Sequence, residues 1–254
     1  MEVEHLISVN CELGEGPLWH PEEAVLYWVD IDGRCFHRYV LGTKTHKVFE
    51  VGQLIGALAF RESGGYVLAT ENSFAFWDET NGLQPVAEPE AGKTEARFND
   101  GKVDRQGRFW AGTMTDDDDT SSLYRLDANH TVHTMESGVM IANGLGWSPD
   151  QKLMYFTDSP RRLIYVYDYD APSGSIQNRR VFAKVPEDEG VPDGLTIDTE
   201  GCMWSAHWGG WKVSRYDPQG KVMEVIEMPV EFPTSCFFGG PDLSTLFITS
   251  ARVP

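Results

Sequence analysis

A short segment containing a glycine recurs along this chain at intervals of about 40 to 50 residues. In each copy a small residue is followed by an apolar run and a turn, and then by a second apolar run. The repeated position is occupied by Gly16, Gly56, Gly101, Gly144, Gly194 and Ser235. A repeat of this length and content is typical of propellers, in which each blade is one small antiparallel sheet.

The residues between the apolar runs are typical of turns. Asp104–Gly107 and Asp198–Gly201, for example, separate runs of hairpin length. A third strand, ending at an acidic residue, is predicted in most copies, as at 123–127 and 164–168. No long window has a helical period. The sequence therefore predicts an all-β fold, a six-bladed β-propeller that forms a single domain over residues 1–254.

The sixth copy ends at residues 250–254, just after its second strand, so we expect the last blade to be short at the carboxyl terminus. Such a blade leaves three alternatives for closing the ring: an exposed strand edge, strand exchange between molecules, or a natural chain longer than this sequence.

Composition excludes several classes of partner. The net charge of −18 argues against binding to nucleic acid or to an anionic membrane surface. The acidic amino terminus lacks the basic and apolar regions of a secretory signal, and no apolar run is long enough to span a bilayer, so we expect a cytoplasmic location. The four cysteines are too widely spaced for a compact zinc or redox motif and are interpreted as reduced packing residues.

The residue before each repeated position carries chemical information. Along the chain these residues are Glu15, Ile55, Asp100, Asn143, Asp193 and Thr234. Because the first strand of each blade lines the central channel, residues at one phase of the repeat converge on the axis. Carboxylates gathered there repel one another unless a cation lies between them. Oxygen donors favour a hard divalent ion such as calcium, magnesium or manganese.

The alternative is that Asp-Gly and Asn-Gly pairs are only turn dipeptides. Taken singly, each pair is more often a turn than a ligand. Their recurrence in phase, at the start of a strand rather than between strands, favours the metal site.

Several segments carry a resemblance to a known family. They are residues 12–19, 97–104, 107–114, 142–148 and 192–195, and the most specific is the Arg-x-Asn-Asp-Gly-Lys-x-Asp block at Arg97–Asp104. In order and over essentially the whole chain, the sequence resembles the senescence marker protein 30, gluconolactonase and luciferin-regenerating enzyme (regucalcin-like) family. The resemblance implies a six-bladed propeller that holds one divalent metal ion and hydrolyses small lactones, commonly sugar lactones.

The resemblance also assigns roles to residues. It implies that Glu15, Asn143 and Asp193 are the metal ligands and that Asp193 is also the catalytic base. It implies that Arg97, Asn99 and Asp117 bind the substrate. Asp100, the neighbour of Asn99, is then interpreted as a structural turn residue. The bound ion is expected to be calcium, manganese, magnesium, zinc or iron.

A metal-dependent sugar lactonase is accordingly the first functional hypothesis, with a small-molecule lactone as its partner and a monomer or weak dimer as its assembly. A phosphotriesterase on the same metal site and a non-enzymatic calcium-binding regulator are the alternatives. A covalent nucleophile lacks support, because the chain has no Gly-x-Ser-x-Gly elbow and no recognisable Cys/His signature. His207, at the end of a predicted second strand, could line the channel mouth with Trp208, but it is interpreted as a loop histidine beside a packing tryptophan because no second histidine lies at ligand spacing.

Overall fold

The fold is taken from a computed structural model, which describes residues 2–93, 96–115 and 119–252. Within these residues the chain forms 22 β-strands and one short 3-10 helix at Glu187–Glu189. None of the described segments is a helix long and apolar enough to cross a membrane.

The strands are grouped in chain order into sheets 1 to 6. Sheet 1 consists of β1 (Gly14–His20), β2 (Val25–Asp30), β3 (Cys35–Val40) and β4 (Thr45–Glu50). Sheet 2 consists of β5 (Ala57–Phe60), β6 (Tyr66–Ala69), β7 (Phe74–Asp78) and β8 (Gly82–Ala87). Sheet 3 consists of β9 (Arg97–Val103), β10 (Phe109–Met114), β11 (Ser121–Leu126) and β12 (Val132–Val139).

Sheet 4 consists of β13 (Ala142–Trp147), β14 (Leu153–Asp158), β15 (Leu163–Asp170) and β16 (Ser175–Lys184). Sheet 5 consists of β17 (Val191–Ile197), β18 (Met203–Trp208), β19 (Lys212–Tyr216) and β20 (Val222–Glu227). Sheet 6 has two strands, β21 (Pro233–Gly239) and β22 (Thr245–Ser250).

Every sheet is an antiparallel meander, because each strand pairs with the next one in the sequence. The first strands of the sheets (β1, β5, β9, β13, β17 and β21) contact their neighbours in turn, and β21 contacts β1 again. The described residues therefore form a β-propeller with five four-stranded sheets and one two-stranded sheet, and the prediction of an all-β propeller is confirmed. The expected short final repeat is the two-stranded sheet 6.

The hydrophobic core is divided among the gaps between consecutive sheets. One cluster joins sheets 1 and 2 around Phe36 and Leu68, for example, and another joins sheets 3 and 4 around Trp110 and Phe156. Sheets 6 and 1 are also joined, by a stack of Trp19 on Phe247 with ring centroids 5.6 Å apart. Apolar packing thus continues around the ring, and it fixes the positions of the inner strands.

The repeated glycines allow the inner strands to approach one another closely. A Cβ atom on Gly144 would lie 2.6 Å from the carbonyl oxygen of Asp193, and one on Gly194 would lie 2.4 Å from the Cβ of Ser235. Any larger residue at these positions would push neighbouring sheets apart. Glycine is therefore required at Gly144 and Gly194 by the packing of neighbouring inner strands.

Candidate functional site

The predicted site residues lie where the inner strands leave regular pairing. The register shifts between Glu15 and Leu18 on β1, at Asn99 on β9, between Asn143 and Leu145 on β13, and between Pro192 and Leu195 on β17. Such β-bulges reorient side chains and are common beside active sites. The inner strand β5, which starts with Ala57 and offers no polar side chain at this phase, pairs without a register shift.

A hydrogen-bond chain fixes the orientation of Asn143. The Ser159 hydroxyl donates to the carbonyl oxygen of Pro192 at 2.6 Å, so it can only accept from Asn143 Nδ2, which lies 2.9 Å away. The amide nitrogen of Asn143 is thereby used, and its Oδ1 is left buried without a hydrogen-bond partner. Because Pro192 precedes Asp193, the same chain links β13 to the strand that carries Asp193.

Arg97 and Asn99 lie together on β9, as their two-residue spacing predicts. Arg97 Nη1 donates to Asn99 Oδ1 at 2.8 Å and to the carbonyl oxygen of Phe98 at 3.1 Å. Asn99 Nδ2 donates to the carbonyl oxygen of Ala142 at 2.9 Å, next to Asn143. The hydrogen bonds of Asn99 therefore hold the Arg97 guanidinium beside the metal-ligand candidates.

Glu15 and Asp193 are buried and repel each other. Burial raises the pKa of both carboxyls well above their ordinary values, and the neighbouring charges of Asp193 and Asp100 raise that of Glu15 further. The charge of Asp100 likewise adds to the effect on Asp193, while Arg97 acts in the opposite direction on both carboxyls. Because their charges shift the pKa values of Glu15 and Asp193, Asp100 and Arg97 belong to one electrostatic cluster with these two carboxyls.

Asp100 is not the turn residue that the sequence interpretation made it. It lies within β9, is buried, and accepts a hydrogen bond from the Gly101 amide at 2.6 Å. Lys102 lies nearby and donates to the carbonyl oxygen of Leu195 at 2.6 Å, and its charge partly offsets the effect of burial, which raises the pKa of Asp100. The phase of the repeat had correctly grouped Asp100 with Glu15 and Asp193.

The donor set fits a hard cation. Asp193 Oδ1, like Asn143 Oδ1, is buried without a hydrogen-bond partner, and Glu15 accepts the Gly16 amide through Oε2 alone. A buried oxygen without a partner is unfavourable unless a ligand or ion completes it. Carboxylate and amide oxygens are the ligands that calcium, magnesium and manganese prefer. Glu15, Asn143 and Asp193 could therefore hold such an ion.

His207 is not the loop histidine that the sequence interpretation made it. It lies buried within β18, where its Nδ1 is 2.9 Å from the carbonyl oxygen of Glu189 and its Nε2 is 3.3 Å from the Tyr216 hydroxyl. Asp117 lies outside the described residues. Ser159, which orients Asn143, had no signal in the sequence, because its role depends on a contact with another sheet.

A match to a protein-family model identifies the family of this chain. The SMP-30/Gluconolactonase/LRE-like region matches residues 13–252. This chain belongs to that family. The match includes all the inner strands and every residue of the cluster described above, and it confirms the resemblance inferred from the motifs.

Individual relatives cover almost all of the chain. Regucalcin of Danio rerio is 41% identical over 259 residues, which is 100% of this chain and 88% of the relative. The pentonolactonase XacC of Haloferax volcanii is 38% identical over 255 residues, 99% of this chain and 86% of the relative.

A solved structure gives the same architecture. The crystal structure of regucalcin from Agrobacterium tumefaciens, described as a calcium-binding protein, superposes with a TM-score of 0.92 at 31% identity. The superposition covers 97% of this chain and 85% of the other.

Proposed function

We propose that this chain hydrolyses small lactones, sugar lactones in particular, at the cluster around Glu15, Asn143 and Asp193. The observation that carries the proposal is the pair of buried oxygens without partners, Asn143 Oδ1 and Asp193 Oδ1, beside the Arg97 guanidinium. Membership of a family that includes gluconolactonases, and 38% identity to a pentonolactonase, indicate a lactonase.

Glu15, Asn143 and Asp193 would hold one divalent ion. When bound, such an ion polarises the lactone carbonyl and stabilises the negative charge that develops on its oxygen. The described donor set contains only oxygen ligands, which favours calcium, manganese or magnesium over zinc or iron. The calcium-binding relative from Agrobacterium tumefaciens supports testing calcium first.

Asp193 acts as the base in this proposal. Its carboxylate has two oxygens, so one can ligate the ion while the other accepts the proton of the attacking water. In the metal-free protein burial and the charge of Asp100 raise the pKa of Asp193, and a bound divalent ion would lower it and keep the carboxylate ionised.

Arg97 and Asn99 bind the substrate. Only Nη1 of Arg97 is used in the hydrogen bonds to Asn99 and Phe98, so the other guanidinium nitrogens are left to donate to ring oxygens and hydroxyls. Asn99 retains one amide N–H after its bond to the carbonyl oxygen of Ala142. Asp117 is the third substrate-binding residue in this proposal, by its position after Gly112-Thr113-Met114.

Sheet 6 serves as the sixth blade and completes the wall around the site. Its strand β21 lies between β17 and β1, and Thr234 Oγ1 donates to the carbonyl oxygen of Gly14 at 2.5 Å. Ala251 forms an isolated antiparallel bridge with Leu13, and the Arg252 amide donates to the carbonyl oxygen of Glu12 at 3.1 Å. These contacts fasten the two-stranded sheet directly beside Glu15.

The test is a metal-reconstitution assay. Protein stripped with a chelator is expected to open sugar lactones in a pH-indicator assay only after calcium, manganese, magnesium, zinc or iron is added. Arg97→Lys is expected to raise KM, and Arg179→Lys, a change at a half-exposed arginine of β16, serves as its matched control. Absence of lactone opening with every ion would refute the proposal, and preferential hydrolysis of a phosphotriester would replace it with the alternative activity.

A further inference from the structure

A second group of metal-binding side chains lies on sheet 1, apart from the central cluster. Cys35 and His37 lie on β3, and Cys11 precedes β1; all three are buried. His37 Nε2 lies 3.5 Å from Cys35 Sγ and 3.7 Å from Cys11 Sγ. An oxygen of the Asp30 carboxylate, Cys11 Sγ and a ring nitrogen of His37 lie within 4.8 Å of one another.

The two sulfur–nitrogen distances are those of a tetrahedral site. Bond lengths of about 2.3 Å from zinc to sulfur and about 2.0 to 2.1 Å from zinc to nitrogen place two such ligands about 3.5 to 3.6 Å apart. Both thiols lie near the same imidazole nitrogen, which has only one lone pair and can accept a hydrogen bond from only one of them. A metal ion held by Cys11, Asp30 and His37, whose ligand atoms lie within 4.8 Å of one another, would engage this nitrogen, one sulfur and the carboxylate at once, with Cys35 next to it.

His46 orients the imidazole of His37 for metal binding. His37 Nδ1 lies 2.9 Å from His46 Nε2, and the two rings are nearly coplanar, with an interplanar angle of 4°. Burial lowers the pKa of His37 to about 4, so its ring is neutral near pH 7. With its proton on Nδ1 and donated to His46, His37 directs a bare Nε2 at the sulfurs. A hydrogen bond of this kind to the non-ligating nitrogen is typical of metal-bound histidines.

Further contacts stabilise the sulfur ligand and the carboxylate. Trp28 Nε1 donates to Cys11 Sγ at 3.4 Å, which favours the thiolate. Asp30 Oδ2 accepts the Glu12 amide at 3.0 Å, and the Asp30 carboxylate also accepts the Cys11 thiol, a hydrogen bond that a metal ion shared by the two groups would replace. Burial raises the pKa of the Cys11 thiol to about 11 and that of Cys35 to about 12, so an incoming metal must displace their protons.

We propose that Cys11, Asp30 and His37 bind a zinc-type transition-metal ion, with Cys35 or water as the fourth ligand, separate from the hard-cation site at the axis. Thiolate and imidazole ligands select such an ion, whereas the oxygen donors of the central site select a hard one. The metal joins the segment before β1 to the third strand of sheet 1, and β1 carries Glu15. The site is thus a structural clamp beside the central cluster.

Cobalt(II) is the probe for this site. Chelator-treated protein under reducing conditions is expected to bind Co²⁺ with a thiolate-to-metal charge-transfer band and the strong visible bands of tetrahedral cobalt, and zinc is expected to displace both. Cys11→Ser is expected to weaken the charge-transfer band, and the double variant Cys11→Ser/Cys35→Ser is expected to lose it, because each thiolate contributes to the band. Cys236→Ser, a matched change at a buried thiol on β21, retains it.

The His46→Gln variant tests the role of His46 through the affinity of the site for zinc. Loss of the partner of a ligating histidine is expected to weaken zinc binding by about 10- to 100-fold while the charge-transfer band remains at saturating cobalt. A merely structural role for His46 would leave the zinc affinity unchanged.

Two further variants separate this proposal from the lactonase proposal. Asp193→Asn is expected to lose lactonase activity and keep the cobalt band, whereas Cys11→Ser/Cys35→Ser is expected to keep the activity and lose the band. Wild-type protein that gives no thiolate band with cobalt, or that forms a Cys11–Cys35 disulfide in place of metal binding, overturns the proposal without affecting the lactonase.

Discussion

The buried carboxylates at the hairpin turns and those at the axis differ in how the protein satisfies them. At the turn after β9, Asp104 Oδ1 accepts the amides of Gln106 and Arg108, both at 3.0 Å. Its Oδ2 accepts Arg108 Nε at 2.6 Å and both Trp110 Nε1 and the Tyr169 hydroxyl at 2.9 Å. Every acceptor position of this carboxylate therefore has a protein donor.

The same arrangement recurs two sheets later. Asp198 Oδ1 accepts the amides of Glu200 and Cys202 at 3.0 and 2.9 Å, and its Oδ2 accepts Trp204 Nε1 and Arg215 Nε, both at 3.0 Å. These donors lower the pKa of Asp198, although partial burial acts against them. At the axis, by contrast, Asp193 Oδ1 has no donor and its pKa is raised. The hydrogen-bond acceptors of the turn carboxylates are satisfied within the fold, whereas Asp193 keeps one buried oxygen without a donor.

The largest expected effect is on lactonase activity, which depends on the axial carboxylates and not on an exposed carboxylate elsewhere in the fold. Asp193→Asn keeps the size of the side chain but removes the base and one ligand charge, so kcat for lactone opening is expected to fall by about 100- to 10,000-fold. Asp168→Asn, the same change at an exposed aspartate of β15, is expected to leave kcat unchanged. Full activity of Asp193→Asn in the pH-indicator assay would refute the assigned role.

The next effect concerns stability at a turn. Asp104→Asn leaves the buried Arg108 guanidinium without its charge partner, and the free energy of unfolding is expected to fall by about 3 to 5 kcal/mol. Urea denaturation measures this loss. Asp198→Asn is expected to cost less, because its side chain is 13% exposed and water can replace part of the interaction. Equal losses in the two variants would contradict this order.

A third prediction uses pH at a buried group away from the axis. Burial lowers the pKa of His207 from 6.5 to about 4, so the folded state excludes a proton that the unfolded state binds below pH 6.5. The contribution of His207 to the free energy of unfolding is therefore present above pH 6.5 and is lost as the pH falls toward 4, by up to about 3 kcal/mol.

Denaturant titrations of wild type and His207→Gln at several pH values measure this contribution. The difference in unfolding free energy between the two proteins is expected to change over the interval from pH 6.5 to 4. Parallel pH profiles would show that His207 does not titrate there.

The smallest expected effect is a gain in the free energy of unfolding rather than a loss. In metal-free protein, Asp193→Asn removes one of several buried carboxylates that repel one another, so the free energy of unfolding is expected to rise by about 1 to 2 kcal/mol. Added calcium is expected to stabilise wild type more than the variant. A loss of stability in chelator would instead place Asp193 with the turn carboxylates.

The sequence was sufficient to predict the repeats but not every strand within each repeat. The first three strands of most sheets contain buried apolar residues and were predicted, whereas a fourth strand such as β4 or β20 is largely exposed and has a weak pattern. Asp100 was misassigned because the family resemblance gives the role near the metal to its neighbour Asn99. The pairing of β9 with β10 places Asp100 in a strand, in agreement with the phase of the repeat.

By itself, the sequence determined the period of the blades and the phase that places Glu15, Asn143 and Asp193 on inner strands. This was possible because turns and apolar alternation are local properties of the chain. Only the tertiary structure decided which of their oxygens lack partners, that Ser159 orients Asn143, and that Cys11 lies beside His37. Those facts depend on contacts between residues distant in the sequence, and on bulges whose direction is set when neighbouring sheets pack.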